Sequence, residues 1–470
     1  MRNIGEKCAV FGMYGKGLDV SRLTFFGLYA LQHRGQESSG IASSSGAEIF
    51  CHKGTGLVAQ VFNEKIIKNL PGHIAIGHNR YSTSSGLGIE HAHPIEVADH
   101  SLVLVHNGNL PSVTLLTDFL KKKGTDVPNA SDSMIITEAI HTLIREGRSV
   151  EEAIEEIFPL MTGSFSLLVM TKDKLIALRD AFGIRPLSIA RLNGGFVVAS
   201  ETCAFHPIGA TFLRDVCPGE MVVIDEQGLT EKQLAPSVQK LDIFEFVYFS
   251  RPDSMLLGKS VYEVRKNFGT QLARDCHITA DVVIPVPETA IPVAIGYANE
   301  SGIPFEMGLI KSRYIHRTFI EPEQHIREQG VKLKLAPLKE VIANKRVIVI
   351  DDSIVRGTTS RQIVKMLFET GAREVHVLLS SPPVRYPDFY GIDLPRQHEL
   401  LAASRSVEEM NTYLGSTSLH FLSYDGMIAA TGLDESLFCT ACFSGQYPID
   451  LKERQKEVVY KDSQGQSASI

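Results

Sequence analysis

Apolar residues follow two rhythms along this chain. From about residue 281 onward, short apolar runs at 281–286, 305–310, 347–350 and 375–379 alternate with helical patterns at 291–299 and 360–369. Runs with no polar alternation read as strands buried on both faces, and strands alternating with helices predict a parallel α/β sheet. The first half is arranged in blocks instead. Apolar runs at 8–12, 73–77 and 102–105 read as strands. Ile135, Ile136, Ala139, Ile140 and Leu143 share one helical face that ends before Gly147. A second helix is expected from Ser149, as N-cap, to about Phe158, with Glu151 and Glu152 in its first turn. Strands return at 164–171, 174–179 and 196–199, with a hairpin turn at Asn193, Gly194 and Gly195. Separate blocks of strands and helices suit a layered α+β domain. The rhythm changes in the polar stretch 234–242, which contains Pro236.

Bulk properties narrow the class. A chain of 470 residues exceeds a single core, so two domains are expected. Hydrophobic residues at 44% and charged residues at 21% fit an ordinary globular protein. A formal net charge of -7 argues against nucleic acid as the main partner. No apolar run is long enough to span a bilayer and the start lacks a signal-peptide core, so no membrane association and a cytoplasmic location are expected. Seven cysteines, odd in number and mostly scattered, suggest reduced thiols, with Cys203 and Cys217 as buried structural ones.

Candidate chemistry is densest at 346–360, RVIVIDDSIVRGTTS. A buried strand runs straight into Asp351 and Asp352, and a loop rich in Gly, Thr and Ser leads into a helix. Open α/β sheets bind ligands at the carboxyl ends of their strands. Such a loop offers backbone N–H groups, hydroxyls and a helix N-terminus to phosphate, while paired carboxylates suit sugar hydroxyls or Mg²⁺. The stretch resembles the phosphoribosyl pyrophosphate (PRPP) signature of type I phosphoribosyltransferases. That resemblance implies PRPP binding by Asp351, Asp352, Ser353, Arg356, Gly357, Thr358 and Thr359. VPET at 286–289 matches the family's pyrophosphate loop, which implies Mg²⁺ held by Thr289, Asp351 and Asp352. Lys311 and Arg313, with Arg317, lie in a basic stretch suited to phosphate. The charged, aperiodic segment 318–334 corresponds to a loop that closes over PRPP in that family.

The first half carries a second constellation: Cys8 at the head of CAVFG, LQHRGQESSGI at 31–41, GHNRYST at 77–83, HNGN at 106–109 and ASDS at 130–133. GHNR and HNGN each follow an apolar run, which places their polar groups at the end of a strand. Together these pieces resemble the class II glutamine amidotransferases, whose glutaminase domain is an N-terminal-nucleophile hydrolase. The match runs roughly from 8 to 220 and includes RDAFGIRP at 179–186 and SETCA at 200–204. It implies removal of residues 1–7 as a propeptide, with Cys8 as nucleophile. An α-amine titrates near ~7.7–8.0, far below the ~10.4 of lysine, so the new terminus can act as base for its own thiol. The resemblance further implies Arg80 for the glutamine carboxylate, Asp132 for its ammonium, and Asn107 and Gly108 as oxyanion donors. Ala9 and Met134 depart from the family pattern without removing a catalytic atom.

FEFVYFSRPDS at 244–254 adds a resemblance to the amidophosphoribosyltransferase family, which joins both activities. The fold it implies is an α+β N-terminal-nucleophile glutaminase domain of four layers, αββα, followed by an α/β type I phosphoribosyltransferase domain. The expected division is 1–7 propeptide, 8–236 glutaminase, 237–460 phosphoribosyltransferase and 461–470 a polar, disordered tail. The implied reaction makes ammonia from glutamine at Cys8, passes it internally to PRPP, and releases 5-phosphoribosylamine and pyrophosphate, the first committed step of purine synthesis. Purine nucleotides as feedback inhibitors and a homotetramer are also implied. Many members carry a [4Fe–4S] cluster on four cysteines. Cys439 and Cys442 match its C-x-x-C unit, but Asp242 and Asp388 occupy the other two positions, and carboxylates are poor partners for such a cluster. A zinc site on the same four residues would be unusual. Two alternatives remain at this point: another class II amidotransferase, such as a hexosamine or glutamate synthase, and a PRPP-sensing regulator of the same fold.

Overall fold

The computed structural model describes residues 8–81, 88–312, 334–392, 394, 396–461 and 467–468. The propeptide expected at 1–7, Arg313, Arg317 and nearly all of the loop expected at 318–334 lie outside the described residues.

Two sheets stacked face to face build the first half. One has seven strands, in the order Thr211–Asp215, Ser188–Leu192, Gly195–Ala199, Ala9–Tyr14, Ile74–Arg80, Ser38–Ser44 and Ile49–Thr55. The other has six: Gly228–Gln233, Glu220–Asp225, Leu175–Arg179, Thr162–Met170, Val103–Ser112 and Ile95–Glu96. Strand alternation sorts the side chains into layers. Ala9, Phe11 and Met13 face a core under the helix Val20–Ala30, while Val10 and Tyr14 turn inward to meet Ile74, Ile76, Val103 and Val105 between the sheets. On the far side, Leu102, Leu104 and Leu167 pack under Thr114–Lys122, Asp132–Arg145 and Val150–Ile157. The four-layer αββα order expected from sequence is the order observed. The hairpin turn also stands, with Asn193 and Gly194 both at positive φ.

The second half holds four parallel strands in the order Val282–Pro285, Arg346–Asp351, Glu374–Leu379 and Ser418–Phe421. Ile348 and Ile350 face a core with Val261, Val264 and Phe268 of the helix Val261–Asp275. Val347 and Val349 face the opposite core with Ile363, Val364 and Leu367 of the helix Thr358–Glu369. The unbroken apolar run therefore reflects burial on both faces.

Several expectations need correction. HNGN does not close a strand but lies inside Val103–Ser112, because Asn107, Gly108 and Asn109 pair with Ser166, Phe165 and Ser164. The run at 305–310 is not a strand of the parallel sheet. Phe305 makes a single bridge to Val283, the chain turns at Glu306–Gly308, and Leu309–Lys311 pairs antiparallel with Leu335–Pro337. The helix expected from 360 begins at Thr358, because Gly357 adopts a φ of 75° as its N-cap. Cys203 is buried, but Cys217 is exposed in a turn. In the tail, Tyr460–Lys461 pairs with Ser467–Ala468.

Between the halves, the chain follows the first before entering the second. Lys240 N donates to Phe182 O (2.7 Å) and Asp242 N to Ile184 O (3.0 Å). Leu241–Asp242 then pairs in parallel with Phe438–Cys439, so the connection is built into the second half by a strand from near the chain's end.

Candidate active site

Cys8 immediately precedes the central strand Ala9–Tyr14, in which Ala9 pairs with Asn79 and Val10 with His78. One further step of that register sets Cys8 across from Arg80. Cys8, Arg80 and the inward residues Val10, Ile74 and Ile76 share strand parity, so both polar residues face the gap between the sheets. Asn107 has the parity of Val103 and Val105 on the opposing sheet and faces the same gap. The sheets are tied there by His78 Nε2 and His106 O, 2.9 Å apart. Cys8 Sγ lies 4.0 Å from Tyr81 O.

Asn107 is buried, and its Nδ2 has no hydrogen-bond acceptor among the described residues. A buried amide donor left unpaired costs about 1–3 kcal/mol, which a developing oxyanion would recover. Gly108 has a φ of 153°, and a Cβ there would meet Ser164 O at 2.2 Å, so the backbone at this point tolerates no side chain. Asp132 opens the helix Asp132–Arg145, capped by Ser131. Its Oδ2 accepts from Leu110 N (3.1 Å) and lies 3.7 Å from His106 Nδ1, which places the carboxylate beside HNGN. Burial pushes the His106 pKa down, with Asp132 opposing.

At the second site, Val286 N donates to Ile350 O (2.8 Å), so the loop carrying Thr289 lies against the end of the strand that delivers Asp351 and Asp352. Asp352 N donates to Asp351 Oδ1 (2.9 Å), and Ser353 Oγ to Asp352 Oδ1 (2.8 Å). Burial, and then the like charge of Asp352, push the Asp351 carboxyl well above its usual range. A cation beside the two carboxylates would offset that repulsion. Thr358 and Thr359 begin the twelve-residue helix, whose N-cap Gly357 contributes no side chain and leaves the first N–H groups facing the loop. Lys311 Nζ stands 3.7 Å from Glu288 Oε2, beside the Thr289 loop. Arg356 is engaged by Glu399 at 2.7 Å.

The four positions matched to a cluster do come together. Asp242 pairs in register with Cys439, and Asp242, Asp388, Cys439 and Cys442 are all buried. Asp388 Oδ1 is occupied by Tyr390 N (2.8 Å) and Ile392 N (2.9 Å). Asp242 Oδ2 makes no hydrogen bond and lies 3.7 Å from Arg185 Nη1. Burial and the two aspartates push both thiols well above their usual pKa. Among the described residues, no three His, Cys, Asp or Glu side chains are arranged to hold a metal ion.

Sequence reasoning missed a buried ion cluster beside Cys8, formed by Arg34, Glu201, Glu245 and Arg185. One signal was available. Glu245 stands between Phe244 and Phe246 in an otherwise apolar run, where a charge needs a partner.

Comparison with known proteins agrees with the two-site geometry. A family model described as a glutamine amidotransferase domain matches residues 78–207, and one described as a phosphoribosyl transferase domain matches 260–381. An amidophosphoribosyltransferase of Synechocystis sp. is 47% identical, covering 95% of this chain and 92% of that relative. One from Bacillus subtilis is 44% identical, covering 96% of each. A solved structure described as the allosteric regulatory enzyme of purine biosynthesis aligns with a TM-score of 0.89 at 43% identity, covering 95% of this chain and 97% of the other. Another, the glutamine PRPP amidotransferase from B. subtilis complexed with ADP and GMP, gives 0.88 at 43% identity, covering 95% and 98%.

Proposed function

The chain belongs to the amidophosphoribosyltransferase family, and from that premise we propose how its residues divide the work. It is a glutamine-dependent enzyme of purine biosynthesis that replaces the pyrophosphate of PRPP with ammonia, giving 5-phosphoribosylamine. Residues 8–236 form the glutaminase and 237–460 the phosphoribosyltransferase.

Once residues 1–7 are removed, the Cys8 α-amine takes the thiol proton and Sγ attacks the glutamine carboxamide carbon. Asn107 Nδ2 and Gly108 N stabilise the resulting oxyanion. The C–N bond breaks, the nitrogen takes the proton and leaves as ammonia, and water hydrolyses the thioester to glutamate. Arg80 takes the substrate carboxylate and Asp132 its ammonium. The observation that carries this reading is the buried, unpaired Asn107 Nδ2, which faces the same gap as Cys8 and Arg80. Intact-mass measurement with N-terminal sequencing tests it: active enzyme should begin at Cys8, and active enzyme retaining residues 1–7 would refute it.

At the second site Asp351 and Asp352 hold the ribose hydroxyls, while Ser353, Gly357, Thr358 and Thr359 cradle the 5-phosphate through N–H and hydroxyl groups. Lys311, Arg313 and Arg356 supply positive charge, with Arg356 exchanging Glu399 for substrate. Thr289, Asp351 and Asp352 are hard oxygen donors that fit Mg²⁺. When bound, that ion neutralises charge on the departing pyrophosphate. A [4Fe–4S] cluster does not fit: two of its four ligands are carboxylates, one already accepts two backbone N–H groups, and Arg185 brings positive charge to the other. Purine nucleotides, as carried by the B. subtilis structure, are the proposed feedback ligands, and a homotetramer the proposed assembly. No helix among the described residues is long and apolar enough to cross a membrane, and cytoplasmic residence is proposed.

A further inference from the structure

An N-terminal nucleophile must keep both its amine and its thiol available for chemistry, which leaves its carbonyl as the backbone handle by which it can be held. Here Arg34 Nε donates to Cys8 O at 3.1 Å. Arg34 is only 1% exposed, so its orientation depends on what neutralises it. Glu201, from the same half, takes Nη1 at 2.6 Å. Glu245, from the other half, takes both ends of the fork, Nη1 at 2.9 Å and Nη2 at 2.8 Å. Such a two-point grip fixes the plane of a guanidinium as well as its position.

The Glu245 carboxylate is itself held, by Ser250 Oγ at 2.8 Å and Arg185 Nη1 at 3.3 Å. The turn that carries it, Glu245–Phe249, is gripped from the other side by Arg265, which donates to Phe246 O and Ser250 O, both at 2.8 Å. Arg265 lies in the field of Asp352. One short segment is therefore clamped between the guanidinium that holds the Cys8 carbonyl and the guanidinium of Arg265.

We infer that Glu245 is a positioning residue for the glutaminase nucleophile, acting through Arg34, so that the glutaminase site is completed by the phosphoribosyltransferase half. This rests on Cys8 being the nucleophile. Replacing Glu245 with Gln keeps the shape and removes the charge and one arm of the fork. Arg34 then keeps Glu201 as its carboxylate partner and a single amide oxygen at position 245, and the Cys8 carbonyl loses its set position.

The test uses full-length Glu245→Gln, assayed for product formation with glutamine and separately with ammonia. Expected are a drop of tenfold or more in kcat with glutamine, a glutamine KM within threefold of the parent, and an ammonia-dependent rate within twofold. Alkylation of Cys8 by a chloroketone analogue of glutamine should slow in parallel. An equal loss with both nitrogen sources would overturn the inference, since general destabilisation predicts that result. So would a rise in KM alone, or alkylation at the parent rate. If Glu245→Gln is insoluble, Glu245→Asp, which keeps the charge but shortens the reach, is read by the same ratio of glutamine to ammonia rates. If the analogue fails to modify Cys8 in the parent enzyme, the nucleophile assignment itself falls. If it modifies Cys8 in parent and variant alike, only the role of Glu245 falls.

Discussion

On the proposed reading, Asn107 is both a cost to folding and an asset to catalysis. Its Nδ2 is buried without an acceptor among the described residues, so Asn107→Ala removes a donor that they leave unused. Loss of one oxyanion donor lowers turnover ~10²–10³-fold. The expected result is that fall in glutamine-dependent kcat, with the ammonia-dependent rate preserved; steady-state assays with each nitrogen source check it. Asp352 gives the complementary case. Asp352→Asn should abolish product from both nitrogen sources, because the proposed function places the lost carboxylate in the site that receives ammonia; full ammonia-dependent activity would refute its role. The identities of these residues were legible in sequence because HNGN and DDSIVRGTT are local strings. Arg34 was not, since its partner Glu245 lies 211 positions away and no local pattern reports such a distance.

At the scale of the element, local preference and long-range pairing disagree in an instructive place. Asn-Gly is a turn former, yet at 107–108 it runs through a strand because pairing with Ser164–Ser166 outweighs the turn. At 193–194 the same dipeptide does turn, because the two strands it joins pair with each other. The parallel strands were legible because burial on both faces leaves no polar alternation to misread. The run at 305–310 was misread because apolar character says nothing about which strand is the neighbour. The helix Thr358–Glu369 owes its early start to Gly357, where a Cβ would meet Leu401 Cδ2 at 2.7 Å and where φ is 75°. Gly357→Ala should cost about 1–2 kcal/mol from the left-handed backbone alone. It should also raise the KM for PRPP as the N–H groups of the helix start shift. Urea denaturation and PRPP saturation curves check the two effects.

Across the whole molecule, the halves are joined by buried charge. Burial pushes the Asp242 carboxyl up to about 8, Arg185 opposing and Asp388 adding to the rise. The folded state therefore holds a proton that the unfolded chain, with an ordinary aspartate near 3.9, has released. The stability this confers is complete below the unfolded value and is lost as pH rises through about 8. Stability should therefore fall between about pH 4 and about pH 8 in the parent, level off above that, and fall less in Asp242→Asn, which stays neutral throughout. Urea midpoints measured across that window decide it. An equal fall in parent and variant would show that Asp242 is ionised in the folded protein.

The parallel pairing of Leu241–Asp242 with Phe438–Cys439 has a consequence for the order of synthesis. Chains emerge from the ribosome amino end first, and domains tend to fold as they appear. The glutaminase sheets can assemble early, since all their strands lie before residue 234. The segment that follows cannot: its strand partner, Phe438–Cys439, emerges only after all four strands of the parallel sheet. Glu245 sits just beyond that waiting strand, so a nascent chain presents Arg34 before its partner from the second half is in place. On the inferred role of Glu245, release of ammonia would be withheld until the half that consumes it has been translated.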